Sequence, residues 1–279
     1  MDHAMDAELS GTLREAHHVA LQAVGRSRQV LHQRAAAEFR TEEKGPAGDV
    51  VTDIDYASEH QMIKIIHDAF PDHRISSEEG GGVDGPAEWT WLIDPLDGTN
   101  NVVLGIPLFG SCVTLCHRGA PVVAAIYAAH EDATYSAIRG HGALRNGIPV
   151  RIRHEGPPEH ATVSWISGYA VRPDDIGASQ ALELLDRRFK RTLNLWAPSV
   201  DWSLLVRGRT AALLAYKNEP EDLLCGVLIA AEAGAVVTDF AGCQVTDLGA
   251  AERLVVAAPD IASYLTKVLA ELDGVGGPG

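Results

Sequence analysis

The chain has 279 residues, with 46% hydrophobic and 22% charged residues, which is ordinary globular composition for one large or two modest domains. Its net charge of −15 excludes general nucleic-acid binding, which needs a basic face. There is no apolar run of about 18 residues and no signal peptide, so the reading is a soluble cytoplasmic protein without a membrane partner.

Leu9, Leu13, Ala16, Val19, Ala20, Val24, Val30 and Leu31 recur at helical spacing and predict a long amphipathic helix over 7–38, with Gly25 as a point of interruption. Glu42-Glu43-Lys44 then leads into Gly45-Pro46-Ala47-Gly48, a loop by composition. Thr52 or Asp53 caps a helix running to about Phe70, with Asp55 in its first turn. A short strand from His73 to Ser77 opens into Glu78-Glu79-Gly80-Gly81-Gly82.

Trp91-Leu92-Ile93 runs straight into Asp94-Pro95-Leu96-Asp97-Gly98-Thr99. This reads as a buried strand that stops at Asp94, because Pro95 lacks a backbone donor. Two carboxylates and a hydroxyl on one turn fit either an Asp-Gly surface corner or a cation site. Hard oxygen ligands favour Mg²⁺ or Mn²⁺ over zinc. A short helix is expected to start at Gly98, with its first N–H groups facing the same place.

Strands are expected over 111–116, 122–128 and 133–138, followed by an Asn146-Gly147 turn. His154-Glu155-Gly156-Pro157-Pro158-Glu159 is the candidate boundary between an α+β part, 1–154, and an α/β part, 155–279. In the second part strands alternate with helices over 178–189, 200–208, 221–233 and 260–273, which means α/β layering. Asp222 lies in the first turn of one of these helices. Cys112, Cys116, Cys225 and Cys243 have no zinc-type spacing and read as small buried side chains in a reducing compartment.

Taken together, Asp49-x-x-Thr52-x-x-Asp55, Glu78-Glu79, Asp94-Pro95-Leu96-Asp97-Gly98-Thr99, and Asp222 followed by Gly226, Glu232, Ala233 and Gly234 resemble the inositol monophosphatase family of Mg²⁺-dependent phosphomonoesterases. The resemblance runs from about residue 10 to 265. It implies a layered αβαβα sandwich, a homodimer, Li⁺ sensitivity and a small-molecule phosphate monoester as substrate. It matches Glu78, Asp94 and the Leu96 carbonyl to a first metal, and Asp94, Asp97 and Asp222 to a second. Glu79 and Asp55 match positions that help hold a third metal and its waters. Gly98 and Thr99 match phosphate-binding positions, and Thr99 with Asp55 would orient the nucleophilic water. Lys44 stands where the family often has a lysine near the site. No covalent nucleophile is needed, because metals can neutralise the phosphate and activate water.

The substrate-reading segments depart from the family pattern. Glu221 replaces a usual Trp, Ala215 a usual Glu, and Ala211 a frequent Asp. Trp196-Ala197-Pro198-Ser199-Val200-Asp201 replaces a Gly-Ser-Ala-Ala-Leu-Asp wall. The expected substrate is therefore inositol phosphate or a different ester, such as a sugar phosphate, a nucleotide-type phosphate or a pathway-specific metabolite. A metal-binding regulatory protein without catalysis is the alternative of another class.

Overall fold

The computed structural model describes residues 2–34, 39–44, 49–245, 248 and 251–274. Helix α1 (Asp2–Arg34) is continuous, so the interruption expected at Gly25 is absent. A helical glycine costs only about 1 kcal/mol. Burial of Ala16, Ala20, Ala23, Val24 and Leu31 beside it outweighs that cost.

Strands β1 (Thr41–Lys44) and β2 (Asp49–Thr52) form an antiparallel hairpin in which Lys44 faces Asp49. The sequence reading assigned no strands here. The pattern Thr41-Glu42-Glu43-Lys44 has no apolar alternation, since the first three residues are exposed. The loop expected at 45–48 lies outside the described residues. Helix α2 (Asp53–Ala69) begins at the Thr52 cap as expected and buries Ile54, Met62 and Ile66.

The first sheet holds seven strands in chain order: β3 (Arg74–Ser77), β4 (Trp89–Asp97), β5 (Gly110–His117), β6 (Ala120–Ala128), β7 (Ala133–Ile138), β8 (Ala143–Arg145) and β9 (Ile148–Val150). Only β3 and β4 are parallel. Here the expected strand end is corrected. β4 does not stop at Asp94; it pairs Asp94 with Cys112, bulges, and pairs Asp97 with Gly110. A bulge absorbs the donor that Pro95 lacks and re-aims the next side chains. Helix α3 (Thr99–Val103) follows directly.

The second sheet contains β10 (Thr162–Ser167), β11 (Arg191–Leu193), β12 (Ala212–Tyr216), β13 (Val236–Thr238) and β14 (Arg253–Ala257), in the order β11-β10-β12-β14-β13. β10 is parallel to β11 and β12, and β14 is antiparallel to both its neighbours. Helices α4 (Ile176–Arg188), α5 (Pro198–Val206), α6 (Pro220–Glu232) and α7 (Pro259–Gly274) connect or follow these strands.

The layers follow from the packing. α1 and α2 cover the outer face of the first sheet, α5 and α6 lie between the sheets, and α4 and α7 cover the second sheet. The result is the αβαβα sandwich. One buried cluster joins Ala124, Ile126 and Tyr135 of the first sheet to Trp165, Leu213 and Val256 of the second. Gly226 of α6 lets the indole of Trp202 on α5 lie flat against the helix, since a Cβ there would sit 2.0 Å from the ring. Gly226→Ala is therefore expected to lower stability by at least about 1–3 kcal/mol, read as a lower urea midpoint. Among the described residues no helix is long and apolar enough to cross a membrane.

Candidate active site

The bulge in β4 is held from behind. The Pro95 carbonyl accepts hydrogen bonds from Ser58 Oγ at 2.9 Å and Ser27 Oγ at 3.3 Å, tying it to α2 and α1. On the other side the Leu96 N–H donates to Asp94 Oδ1 at 3.1 Å. Gly98 then takes a left-handed φ of 87°, and a Cβ there would lie 2.8 Å from the Leu108 carbonyl. Both conditions select glycine. This local path turns Asp94, Leu96, Asp97, Gly98 and Thr99 toward one cleft, open to solvent, which Glu78 and Asp222 also line.

Thr99 and Asp55 meet across the site. Thr99 Oγ1 lies 3.0 Å from Asp55 Oδ1 and 2.9 Å from the Leu96 carbonyl. Its single proton serves one acceptor at a time, and its lone pairs remain able to accept. The other Asp55 oxygen accepts from the Thr52 N–H at 2.8 Å and Thr52 Oγ1 at 2.5 Å. The helix cap thus aims a catalytic candidate. Burial raises the Asp55 pKa, and the bonds from Thr52 and Thr99 partly offset this.

Asp97 is buried, and its Oδ2 accepts from the Ser199 N–H at 2.5 Å, in the first turn of α5. Burial nevertheless pushes its pKa up to about 7, with Ser199 pulling the other way and Glu78 adding to the rise. Asp94 is raised further, first by desolvation and then by the charges of Glu78, Asp97, Asp222 and Asp55. Lys44 Nζ lies 3.1 Å from Glu78 Oε1 and 3.1 Å from Glu79 Oε1. Burial works against its charge, but the two carboxylates prevail and raise its pKa. Burial pushes Glu79 up to about 7 despite the bond from Lys44, and the Glu78 charge adds to the rise.

The donors are carboxylates plus the Leu96 carbonyl, all hard oxygens, and their accumulated negative charge is what a divalent cation offsets. They surround the cleft rather than closing into a cage. Among the described residues no three His, Cys, Asp or Glu side chains are grouped tightly enough to hold an ion as they stand. The chemistry of the set fits Mg²⁺ or Mn²⁺.

The model of the inositol monophosphatase family matches residues 12–273. The chain belongs to this family. It is 33% identical over 213 residues to the Nus factor SuhB of Vibrio cholerae, covering 74% of this chain and 78% of that protein. It is 33% identical over 200 residues to the fructose-1,6-bisphosphatase/inositol-1-monophosphatase of Aquifex aeolicus, covering 71% and 74%. In fold it is similar to the extragenic suppressor protein suhB of Bartonella henselae, with a TM-score of 0.81 and 24% identity over 90% of this chain and 97% of that one.

Within this inositol monophosphatase family member, Glu78, Asp94, Leu96, Asp97, Gly98, Thr99, Trp196 and Asp222 all line the cleft. Asp55 joins through Thr99. Lys44 and Glu79 sit on a shallower adjoining surface with Glu78. Ala215 does not line the cleft: it is buried in the core on β12, between Ile166 and Leu254, so its expected place in the substrate wall is corrected. Glu221 lies in the first turn of α6, and its side chain is outside the described residues. The buried-cysteine reading fails for Cys243, which is exposed, while Cys112 lines the cleft.

Several cleft residues were missed: Ser167 at the end of β10 and Tyr169 just past it, Asn194 after β11, and Asn218 after β12. These are the carboxyl ends of parallel strands, where open α/β sheets bind ligands. Strand order would have found them; residue type alone did not.

Proposed function

We propose that this protein is a Mg²⁺-dependent phosphomonoesterase of inositol monophosphatase type, hydrolysing a small phosphate monoester with water as nucleophile. The observation that carries the reading is the convergence of Glu78, Asp94, Asp97 and Asp222 on the cleft that Thr99 and Asp55 border. Two or three ions are proposed, with Glu78, Asp94 and Leu96 at one, Asp94, Asp97 and Asp222 at another, and Glu79 and Asp55 near a third. When bound, a divalent ion supplies charge neutralisation at phosphate oxygens and a lowered pKa for water.

The chain's own residues do the rest. Thr99 Oγ1 accepts a hydrogen bond from the attacking water while donating to Asp55 or the Leu96 carbonyl. Asp55, oriented by Thr52, accepts the displaced proton. The N–H groups at Gly98 and Thr99 receive the phosphate oxygens. Thr99→Val, which keeps the shape and removes the hydroxyl, is expected to lower kcat by about a hundredfold, and Thr99→Ser to retain most of it. Equal kcat in all three proteins would contradict this role.

The substrate is inositol phosphate, or a sugar, nucleotide-type or other metabolite phosphate. The cleft wall away from the carboxylates, with Trp196, Tyr169, Asn194 and Asn218, departs from the family's substrate-reading pattern and favours the second group. The net charge of −15 supports small-molecule over nucleic-acid partners. The homodimer implied by the family resemblance and the cytoplasmic location expected from the sequence belong to the same proposal. The test is release of inorganic phosphate from a panel of monoesters with and without Mg²⁺. A folded protein that releases phosphate from none of them sinks the proposal and leaves the metal-binding regulatory role.

A further inference from the structure

Two large aromatic side chains stand exposed at the mouth of the cleft. Trp196 is 56% and Tyr169 58% exposed, both line the cleft, and they come from the ends of different strands. Trp and Tyr are enriched at interfaces, where an apolar ring with a polar handle can sit half in water. Trp196 is also held in the left-handed region, at φ 54°, where a bulky side chain is strained. Its neighbours enforce this. The Leu195 carbonyl accepts from Asn101 Nδ2 at 2.8 Å, and Ala197 is fully buried. The backbone therefore holds the indole at the mouth at a cost.

Away from the metal-ligand wall the lining carries no charge. Besides the two rings it offers Ile166, Ser167, Asn194 and Asn218. Asn218 Oδ1 already accepts from the Tyr216 N–H at 3.2 Å, which leaves its amide protons to donate. Selection of a polyol through its hydroxyls takes a hydrogen-bonding partner for each of them, and this wall offers three polar side chains beside two rings. Ring faces with a few amide groups instead suit a flat ring that has a polar edge. The cleft is open to solvent at this end, so a ring can lie against its wall while the phosphate reaches the carboxylates.

We infer that the alcohol released by this enzyme carries a planar aromatic or heteroaromatic ring, received against the exposed rings of Trp196 and Tyr169. The inference rests on the phosphomonoesterase reading and names its substrate class. It also makes Trp196 and Tyr169 the specificity-determining residues.

The test compares phenyl phosphate and adenosine 5′-monophosphate with inositol 1-phosphate and glycerol 2-phosphate, all with Mg²⁺. The ring-bearing esters are expected to have the higher kcat/KM. Trp196→Ala and Tyr169→Ala should each reduce the ratio of ring-bearing to ringless kcat/KM by about tenfold to a hundredfold, and Trp196→Phe should restore most of it. Trp196→Gly serves as the folding control, because glycine adopts this φ without strain and melting should not suffer.

A second readout needs no turnover. Adenosine 5′-monophosphate should quench tryptophan fluorescence in the wild type and much less in Trp196→Phe. If inositol 1-phosphate or glycerol 2-phosphate is preferred, or the substitutions leave the ratio unmoved, the inference is wrong. If no ester is hydrolysed but the Trp196-dependent quench is present, ring recognition stands and the phosphatase reading falls. If neither hydrolysis nor quench is seen, both fall.

Discussion

Asp94→Asn is expected to abolish Mg²⁺-dependent phosphate release while leaving the protein folded. The loss should exceed the 10- to 100-fold of roughly an outer-shell ligand partner, because Asp94 is proposed to serve two ions at once. The stability change should have the opposite sign to that of an ordinary buried-residue mutation. Asp94 is surrounded by Glu78, Asp97, Asp222 and Asp55, whose charges all oppose its ionisation. In chelator, Asn presents no ionisable group for burial and those neighbouring charges to oppose, so the variant should melt at or above the wild-type temperature. With Mg²⁺ the order should reverse, because only the wild type gains binding free energy. A variant that keeps its Mg²⁺ stabilisation would remove Asp94 from the metal site.

The second large effect is a pH dependence of the Mg²⁺ stabilisation itself. Asp97, ordinarily near 3.8, titrates at about 7 in the folded chain. Between these values the folded state binds more protons than the unfolded state, so stability falls as pH rises. A shift from 3.8 to about 7 corresponds to on the order of 4 kcal/mol. Glu79, also near 7, and Asp94 act in the same direction. His17, His73 and His130 have pKa values lowered by burial and work the opposite way below about 6.5. They are common to both metal states and cancel in a difference. The gap in melting temperature between Mg²⁺-loaded and chelated protein should therefore widen from pH 5 to pH 7.5. A gap that is constant or narrows over that range would mean that these carboxylates do not meet the ion.

The parts legible in the sequence were those written in one stretch of chain. The Thr52 cap, the helix it starts and the Gly98 turn follow from local chemistry, and the structure has each of them. The parts that were not legible depend on partners distant in the chain. β1 forms because β2 returns beside it, not because Thr41 to Lys44 has a strand pattern. β4 continues past Pro95 because Gly110 receives Asp97 across the sheet. Gly25 stays helical because α2 and the first sheet bury its neighbours. The acidic side of the cleft was visible since the carboxylates cluster in short motifs. The aromatic and amide side was only partly visible: Trp196 stood out as a departure, whereas Tyr169, Asn194 and Asn218 become neighbours only when three parallel strands end together.

The Asn101 side chain joins these two sides. Its amide nitrogen lies 2.8 Å from the Leu108 carbonyl and 2.8 Å from the Leu195 carbonyl, so both protons are engaged. One end of that link sits in α3 beside Thr99, and the other is the residue before Trp196. Under the proposed function, the amide would act as a fixed ruler between the place proposed to take the phosphate and the place proposed to take the remainder of the molecule. Selection by such a ruler is selection by length: an ester too short to reach from one mark to the other forfeits a contact, whatever groups it carries.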